Sequence, residues 1–216
     1  SIPGIDSSLQ YTRQENIPDT ILTDFQTTYR DRTLTKEDIF YYVYGILHSP
    51  EYKTRFAADL KKMLPRIPYT QDFWAFSKAG RELAHWHLNY ETIEPYPLEE
   101  YSEFLFLNED DYRVEKMTFA RRQRQVDKTT IIYNSKLKLA GIPLEAYDYI
   151  VNGKSAIDWI MERYQFKKDK KSGIINDPNE WSDDPRYIVD LVKRIVRVSV
   201  ETVQIVESLP PLNELN

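Results

Sequence analysis

The feature that most constrains the fold is a change in apolar spacing part-way along the chain. Before about residue 92, apolar residues recur at helical intervals, whereas residues 129–133 favour a β-strand and residues 136–140 alternate basic and apolar side chains as in a strand. An acidic, proline-containing stretch, residues 92–111, separates the two regions and predicts a connector. Helices followed by strands are typical of the α+β class. We therefore predict a mainly helical α+β fold with a small antiparallel sheet.

Capping signals mark the helices of the first half. Thr35-Lys36-Glu37-Asp38 has the capping-box pattern and precedes a mostly buried apolar run, residues 39–47. Ser49-Pro50 predicts the start of a second helix, which ends before Pro65. Its apolar face comprises Tyr52, Phe56, Leu60 and Met63. Thr70 is predicted to cap a third helix, and residues 19–29 to form a short element.

The second half predicts about three strands and further helices. The strands are expected near residues 114–119, 129–133 and 136–140, with a tight turn at Asn134-Ser135. Residues 143–151 are predicted to be helical, and Ser155 to open another helix that ends near Gln165. Asp184-Pro185 predicts a long C-terminal helix to about Ser208. Alternating valines leave a strand open for residues 195–203, but length and the cap favour the helix.

These patterns predict three regions. Residues 1–34 form a polar segment leading in from upstream domains, since the chain starts with Ser1 rather than Met and suggests a piece of a longer protein. Residues 35–112 form a helical subdomain with the acidic connector. Residues 113–216 form a sheet-containing part.

Composition narrows the class of protein. The chain has no cysteine, which excludes disulfides, zinc–thiolate sites and cysteine nucleophiles. No apolar run reaches the about 20 residues that span a bilayer, and the N-terminus lacks the pattern of a signal peptide. We therefore expect a cytoplasmic protein with no membrane partner.

No catalytic motif is recognisable. Nucleotide-binding glycine loops and the Gly-x-Ser-x-Gly elbow are absent. His85 and His87 are two residues apart on a predicted helix and face different ways, so we predict no metal site, and His48 stands alone. Asp38 with Glu51-Tyr52-Lys53 mimics the spacing of metal-dependent nucleases, but both pieces open helices, so an autonomous nuclease is the least favoured hypothesis. We expect no enzymatic activity from the chain alone.

Charge is unevenly distributed. Residues 91–111 contain eight acidic and no basic residues, and removing them changes the net charge from −5 to +3. Residues 113–128 contain six basic and two acidic residues, and 121–125 are predicted to form a loop between strands. Arginine pairs with guanine and glutamine with adenine in the major groove. The predicted DNA-binding residues there are Arg121, Arg122, Gln123, Arg124, Gln125 and Lys128. A second basic loop, suited to phosphates, contributes Lys167, Lys168, Lys170 and Lys171.

Several longer phrases carry a resemblance to a known family. They are KEDIFYYVYG at 36–45, LHSPEY at 47–52, FAADLKKMLPRIP at 56–68, GIPLEAY at 141–147, VNGKSA at 151–156 and INDPN at 175–179. From about Leu34 to its end the chain resembles the C-terminal target recognition region of single-chain type I (type ISP) restriction-modification enzymes.

The resemblance implies a function in bacterial defence. It implies that the chain reads a short duplex DNA sequence for upstream nuclease, ATP-driven translocase and adenine-N6 methyltransferase domains. S-adenosylmethionine, ATP and Mg²⁺ are then expected only in those domains, and the chain itself needs no cofactor. The alternative hypothesis is a coupling module that docks on the methyltransferase or helicase domains without reading bases. The aromatic run from Phe40 to Tyr44 and the acidic connector motivate it.

Overall fold

The computed structural model describes residues 16–62 and 66–215. They form the predicted α+β fold with a long C-terminal helix. The first fifteen residues and Met63 lie outside the described residues. The helices of the described part are α1 (Asp19–Tyr29), α2 (Lys36–His48), α3 (Pro50–Arg55), α4 (Ala57–Lys61), α5 (Phe73–Leu88), α6 (Ala156–Arg163) and α7 (Tyr187–Glu207). None of these helices combines the length and apolarity needed to cross a membrane.

The strands form one larger sheet and two small hairpins. The strands of the described part are β1 (Glu99–Tyr101), β2 (Thr118–Arg122), β3 (Gln125–Ile132), β4 (Lys138–Ala140), β5 (Ile150–Val151), β6 (Lys154–Ser155), β7 (Lys167–Lys168) and β8 (Ile175–Asn176). The sheet is antiparallel, in the order β1-β4-β3-β2. The short pairs are β5–β6 and β7–β8.

Local capping sets the starts of α2 and α3, as predicted. The Thr35 hydroxyl accepts from the Asp38 amide, and the Asp38 carboxylate accepts from the Thr35 amide at 2.9 Å, which completes a capping box. Ser49 accepts from the Tyr52 amide at the start of α3. Helices α2 and α3 therefore begin where side chains satisfy free backbone amides, whereas α1, α4 and α5 begin without a side-chain cap.

Two predictions in the helical half are wrong. The single helix after Ser49 is broken at Phe56, whose buried ring stacks on Tyr52 with centroids 4.9 Å apart. Thr70 does not cap α5, which begins at Phe73. Instead, Thr70 is buried, and its amide donates to the Tyr42 hydroxyl at 3.0 Å. Tertiary contacts override the local capping signal at both places.

Helices α2 and α5 approach each other at two glycines. A Cβ on Gly80 would lie 1.8 Å from the Tyr41 carbonyl oxygen, and one on Gly45 would lie 2.3 Å from the Phe76 carbonyl oxygen. Both separations are far below van der Waals contact, so a larger residue at either position forces the helices apart.

The sheet half departs from prediction in two ways. Residues 92–111 are not only a connector, since they supply β1, which pairs with β4 as a fourth strand. Residues 143–151 are not one helix: a single 3-10 turn, Leu144–Asp148, leads into β5. Asn152 and Gly153 then form a two-residue turn with φ of 49° and 84°, a combination that favours a hairpin over a helix end.

Helix α7 joins the two halves. Its first part, from Ile188 to Val200, packs in the same core as the sheet residues Ile131 and Leu139. Farther along, Ile205 packs against Ala79 and Leu83 of α5. The residues predicted to be either helix or strand, 195–203, are helical and mostly buried.

We predict that Gly80→Ala destabilises the chain by about 3 kcal/mol, because the new methyl group overlaps the backbone of α2. Urea denaturation measures the loss. Gly153→Ala is the matched control: no atom lies within 4 Å of its Cβ position, so only the left-handed φ of 84° opposes it, at about 1 kcal/mol. Equal losses in the two variants would contradict the close approach of α2 and α5.

Candidate nucleic-acid interface

Strands β2 and β3 form a two-stranded ribbon that extends beyond the rest of the sheet. Strand β4 pairs with residues 130–132 of β3, and the register between β2 and β3 shifts between Phe119 and Ala120. Beyond this bulge, residues 120–122 pair with residues 125–127, with no third strand beside them in the described part. A bulge bends the strand that carries it, and this bulge lies where the ribbon separates from β4.

The end of this ribbon is a two-residue turn rather than the predicted loop. Arg121 and Arg122 belong to β2 and Gln125 to β3, because Arg122 pairs with Gln125. Only Gln123 and Arg124 lie in the turn, with φ of 50° and 68°. All five residues are exposed. The structure therefore brings five of the predicted DNA-binding residues together at one narrow tip.

The ribbon is positively charged. The segment from 120 to 127 contains three arginines, at positions 121, 122 and 124, and a single acidic residue, Asp127. The Asp127 carboxylate accepts from the Thr129 hydroxyl at 2.6 Å and from the Thr129 amide at 2.9 Å, and these bonds lower the pKa of Asp127. Asp127 is thus tied to the base of the ribbon, and within the described residues the three arginines have no ion-pair partner.

Lys128 is placed differently from the prediction. Its ammonium lies over the rings of Phe119, at 5.5 Å, and Tyr147, at 5.0 Å. The Tyr147 hydroxyl donates to the Lys128 carbonyl at 2.6 Å, and burial raises the pKa of Tyr147. Lys128 therefore lies at the base of the ribbon on an aromatic support. This support is not predictable from the amino-acid pattern, because Tyr147 lies in the segment predicted to be a helix.

The second predicted basic loop is the hairpin β7–β8. Lys167 and Lys168 are in β7, and Lys170 and Lys171 lie in the turn. The Asp169 carboxylate holds this turn by accepting from the amides of Lys171, at 2.9 Å, and Ser172, at 2.7 Å. All four lysines are exposed, so their charges remain available to an anionic partner.

The two basic elements flank the same strand. The Phe166 amide, just before β7, donates to the Glu115 carbonyl at 2.8 Å, three residues before β2. Asn179 bonds both backbone groups of Val114, at 2.7 and 3.0 Å. The nine residues from Glu115 to Gln123, joined by eight Cα–Cα steps, span at most about 29 Å, which is less than one turn of duplex DNA, about 34 Å. Asn179 was missed by the sequence reasoning, although it closes the phrase INDPN.

The opposite edge of the sheet is acidic and apolar. The Glu100 carboxylate in β1 is neutralised by Arg186, at 2.5 Å, and Lys193, at 2.6 Å, both near or in α7. The loop after β1 exposes three consecutive apolar side chains: Phe104 at 54%, Leu105 at 88% and Phe106 at 84%. Glu99 and Glu103 are exposed and have no ion pair in the described residues, so this edge is acidic beside its apolar loop and the opposite edge is basic.

Comparison with known proteins identifies the family. The model of the Type ISP C-terminal specificity domain matches residues 3–191. The chain belongs to this family. Among curated proteins, none matches the chain.

Three solved structures are similar to this Type ISP specificity domain. A nuclease-deletion mutant of the Type ISP restriction-modification enzyme LlaGI, in complex with a DNA substrate mimic, is 43% identical, with a TM-score of 0.74 over 84% of this chain and 14% of its own. The ATP-dependent Type ISP enzyme LlaBIII, bound to DNA, is 39% identical. Its TM-score is 0.76, and the match covers 88% of this chain and 12% of that enzyme. The protein of a DrdV–DNA complex is 33% identical. Its TM-score is 0.77, and the match covers 90% of this chain and 20% of that protein. The chain thus spans between about an eighth and a fifth of these relatives.

Two histidines of the specificity domain, His87 and His48, are held by contacts within the fold. His87 is stacked on Tyr149, and its ring nitrogens lie 2.6 Å from the Tyr44 hydroxyl and 2.9 Å from the Thr202 hydroxyl. His48 is not alone, since its ring centroid lies 5.5 Å from that of His87. Burial, with a smaller effect of His48, lowers the pKa of His87 to about 4. His87 is therefore neutral near pH 7, at a junction of α2, α5, α7 and the segment before β5.

The nuclease-like residues also have structural partners. Asp38 completes the cap of α2. Glu51 pairs with Arg55 at 2.6 Å and accepts from the Leu212 amide at 2.8 Å. In residues 16–62 and 66–215, no group of three or more acidic or histidine side chains is arranged to hold a metal ion.

We predict that acid destabilises the fold through His87. Unfolding returns the pKa of His87 to its ordinary value near 6.5. Between pH 6.5 and about pH 4, His87 is therefore protonated in the unfolded chain and neutral in the folded chain. Stability is therefore full above pH 6.5 and falls between pH 6.5 and 4, by about 2 kcal/mol at His87.

Urea denaturation at neutral and acidic pH tests this in His87→Gln, which should lose most of that difference. His85→Gln alters an exposed ring on the same helix and should keep it. An unchanged pH dependence in His87→Gln would show that another group is responsible.

Proposed function

We propose that this chain is the sequence-specific duplex DNA recognition domain of a larger restriction-modification enzyme. The observation that supports this most directly is the exposed basic ribbon beyond the bulge, residues 120–127. A two-stranded ribbon fits the major groove of B-DNA, which is about 12 Å wide and 8.5 Å deep. From Ala120 to the turn, the ribbon extends roughly 10 Å, which matches the depth of the groove.

The second hairpin complements the ribbon. Its four exposed lysines, spread over a turn and a short strand, suit contacts to phosphates rather than to base edges. The lysine hairpin contacts the chain at Glu115, and the stretch from Glu115 to the ribbon turn is shorter than one helical turn of duplex, so one DNA molecule longer than a turn can contact both. The acidic edge at β1 is repelled by phosphates, which limits the orientations in which duplex DNA approaches the sheet.

The chemistry of the enzyme belongs, in this proposal, to the part of the polypeptide outside this chain. The relatives are far longer than the chain, and the described residues bring no catalytic constellation together. Nuclease, translocase and adenine-N6 methyltransferase activities, with ATP, Mg²⁺ and S-adenosylmethionine, are therefore assigned to upstream domains. The chain itself acts in the cytoplasm as the non-catalytic reader.

The exposed loop after β1 favours a second function, docking on those upstream domains. Phe104, Leu105 and Phe106 form an apolar surface beside Glu103 and Glu109, and exposed apolar patches mark protein interaction sites. In the aromatic run of α2, Tyr42 is buried and Tyr44 contacts His87, so Phe40, 56% exposed, offers less apolar surface. Reading and docking use opposite edges of the sheet and are compatible.

We predict that Arg121→Ala with Arg122→Ala weakens duplex binding and its salt dependence. Each lost phosphate contact makes the plot of log affinity against log salt less steep by about 1. The slope of the double variant should therefore be smaller in magnitude by roughly 2. Titration of duplex DNA between about 50 and 200 mM salt measures this slope. Arg32→Ala, which removes an exposed charge from the helical half, should leave it unchanged. A slope equal in all three proteins would exclude the ribbon from the interface.

We predict that Leu105→Ser with Phe106→Ser abolishes co-elution with separately expressed upstream domains on a sizing column, because the apolar contact is lost. Duplex binding should persist, since the ribbon is on the other edge. Leu88→Ser, which changes a side chain 78% exposed on α5, is the matched control. Retained co-elution of the double variant would assign docking to another surface.

A further inference from the structure

The chain contains two hairpins with the same turn conformation and different turn residues. Between β5 and β6 the turn is Asn152-Gly153, with φ of 49° and 84°. Between β2 and β3 it is Gln123-Arg124, with φ of 50° and 68°. Positive φ at both positions strongly favours Asn-Gly in such a turn. The first hairpin follows this preference, whereas the basic ribbon does not.

Nothing within the described residues offsets the strain at the ribbon turn. Gln123 and Arg124 have Cβ atoms that clash with the backbone at positive φ. Their side chains are exposed, and no hydrogen bond, ion pair or ring contact in the described residues holds them. Backbone strain at side chains with unused hydrogen-bonding groups is a property of binding sites, where the side chains are retained for a ligand.

The two side chains also match specific ligand groups. The amide of glutamine pairs with N6 and N7 of adenine, and the guanidinium of arginine pairs with O6 and N7 of guanine. Both residues stand at the narrowest point of the ribbon, where no neighbouring strand obstructs entry to a groove. Arg121 and Arg122 lie behind the turn in β2, at positions better suited to the phosphates beside the groove.

We propose that Gln123 and Arg124 are the specificity-determining residues of the ribbon and read purines in the major groove. The inference rests on the proposed function. It divides the basic residues into two classes: the turn selects the sequence, while the arginines of β2 and the lysines of β7–β8 supply affinity that is independent of sequence.

The double variant Gln123→Asn, Arg124→Gly tests the proposal, because it suits the turn better while removing both reading groups. We expect its melting temperature to rise by roughly 2 to 6 °C as the strain is relieved. The chain and its variant are each used to select from a pool of short duplexes with a randomised centre. The enriched purines should be lost in the variant, with discrimination falling at least about 10-fold. Arg124→Lys, which keeps the charge and loses the planar fork, should lose the guanine preference alone.

The outcomes separate this inference from the proposed function. No enrichment of any sequence by the unaltered chain would overturn the proposed function, and the inference with it. A sequence enriched equally by the chain and by the Asn-Gly variant would overturn only the inference and leave DNA recognition in place. A variant that melts lower than the unaltered chain would show that the turn residues stabilise the fold, which also contradicts the inference.

Discussion

The burial of helix α7 against both halves of the chain is the contact on which the rest of the structure depends. Ile188 to Val200 complete the core beneath the sheet, and Ile205 packs against α5. Because one continuous helix contributes to both, the sheet cannot move relative to the helical half without exposing apolar surface at one end. The Gly45–Gly80 contact then fixes α2 against α5, the helix on which α7 ends. The ribbon is thus built on a continuous scaffold, as precise recognition requires.

Charge is organised around the same helix. Arg186 and Lys193 form ion pairs with Glu100 of β1. This residue of the acidic stretch therefore attaches the outer strand to α7. Glu103 and Glu109 remain beside the exposed Phe104–Phe106 loop without an ion pair in the described part. At the other edge of the sheet the three arginines of the ribbon likewise form no ion pair within the described residues. The net charge of −5 therefore does not reveal that positive charge lies at one edge of the small sheet and negative charge at the other.

Most helices were predictable because their signals are local. Thr35-Asp38 and Ser49-Pro50 cap helices through contacts within four residues, and the long apolar pattern of α7 outweighed its valines. Strand β1 was not predictable, since Glu99-Glu100-Tyr101 becomes a strand only by pairing with β4, about forty residues away. The Asn152-Gly153 pair is a recognisable hairpin signal, although residues 143–151 before it are predicted to be helical.

The candidate site divides in the same way. Arginines and glutamines between two strands were recognisable from spacing and charge. Their separation into turn and strand follows from the pairing of Arg122 with Gln125, and the position of Lys128 follows from rings that converge only in the folded chain. The partners of His48 and His87 come from three helices and could not be inferred from spacing.

The central claim, that duplex DNA is bound at the basic edge of the sheet, is tested most directly by amide hydrogen exchange with and without a short duplex pool. Binding at the basic edge predicts slower exchange in peptides covering residues 118–132 and 166–176, and no change in peptides covering residues 99–107. Protection of residues 99–107 with an unchanged ribbon would place DNA on the acidic edge and contradict the account.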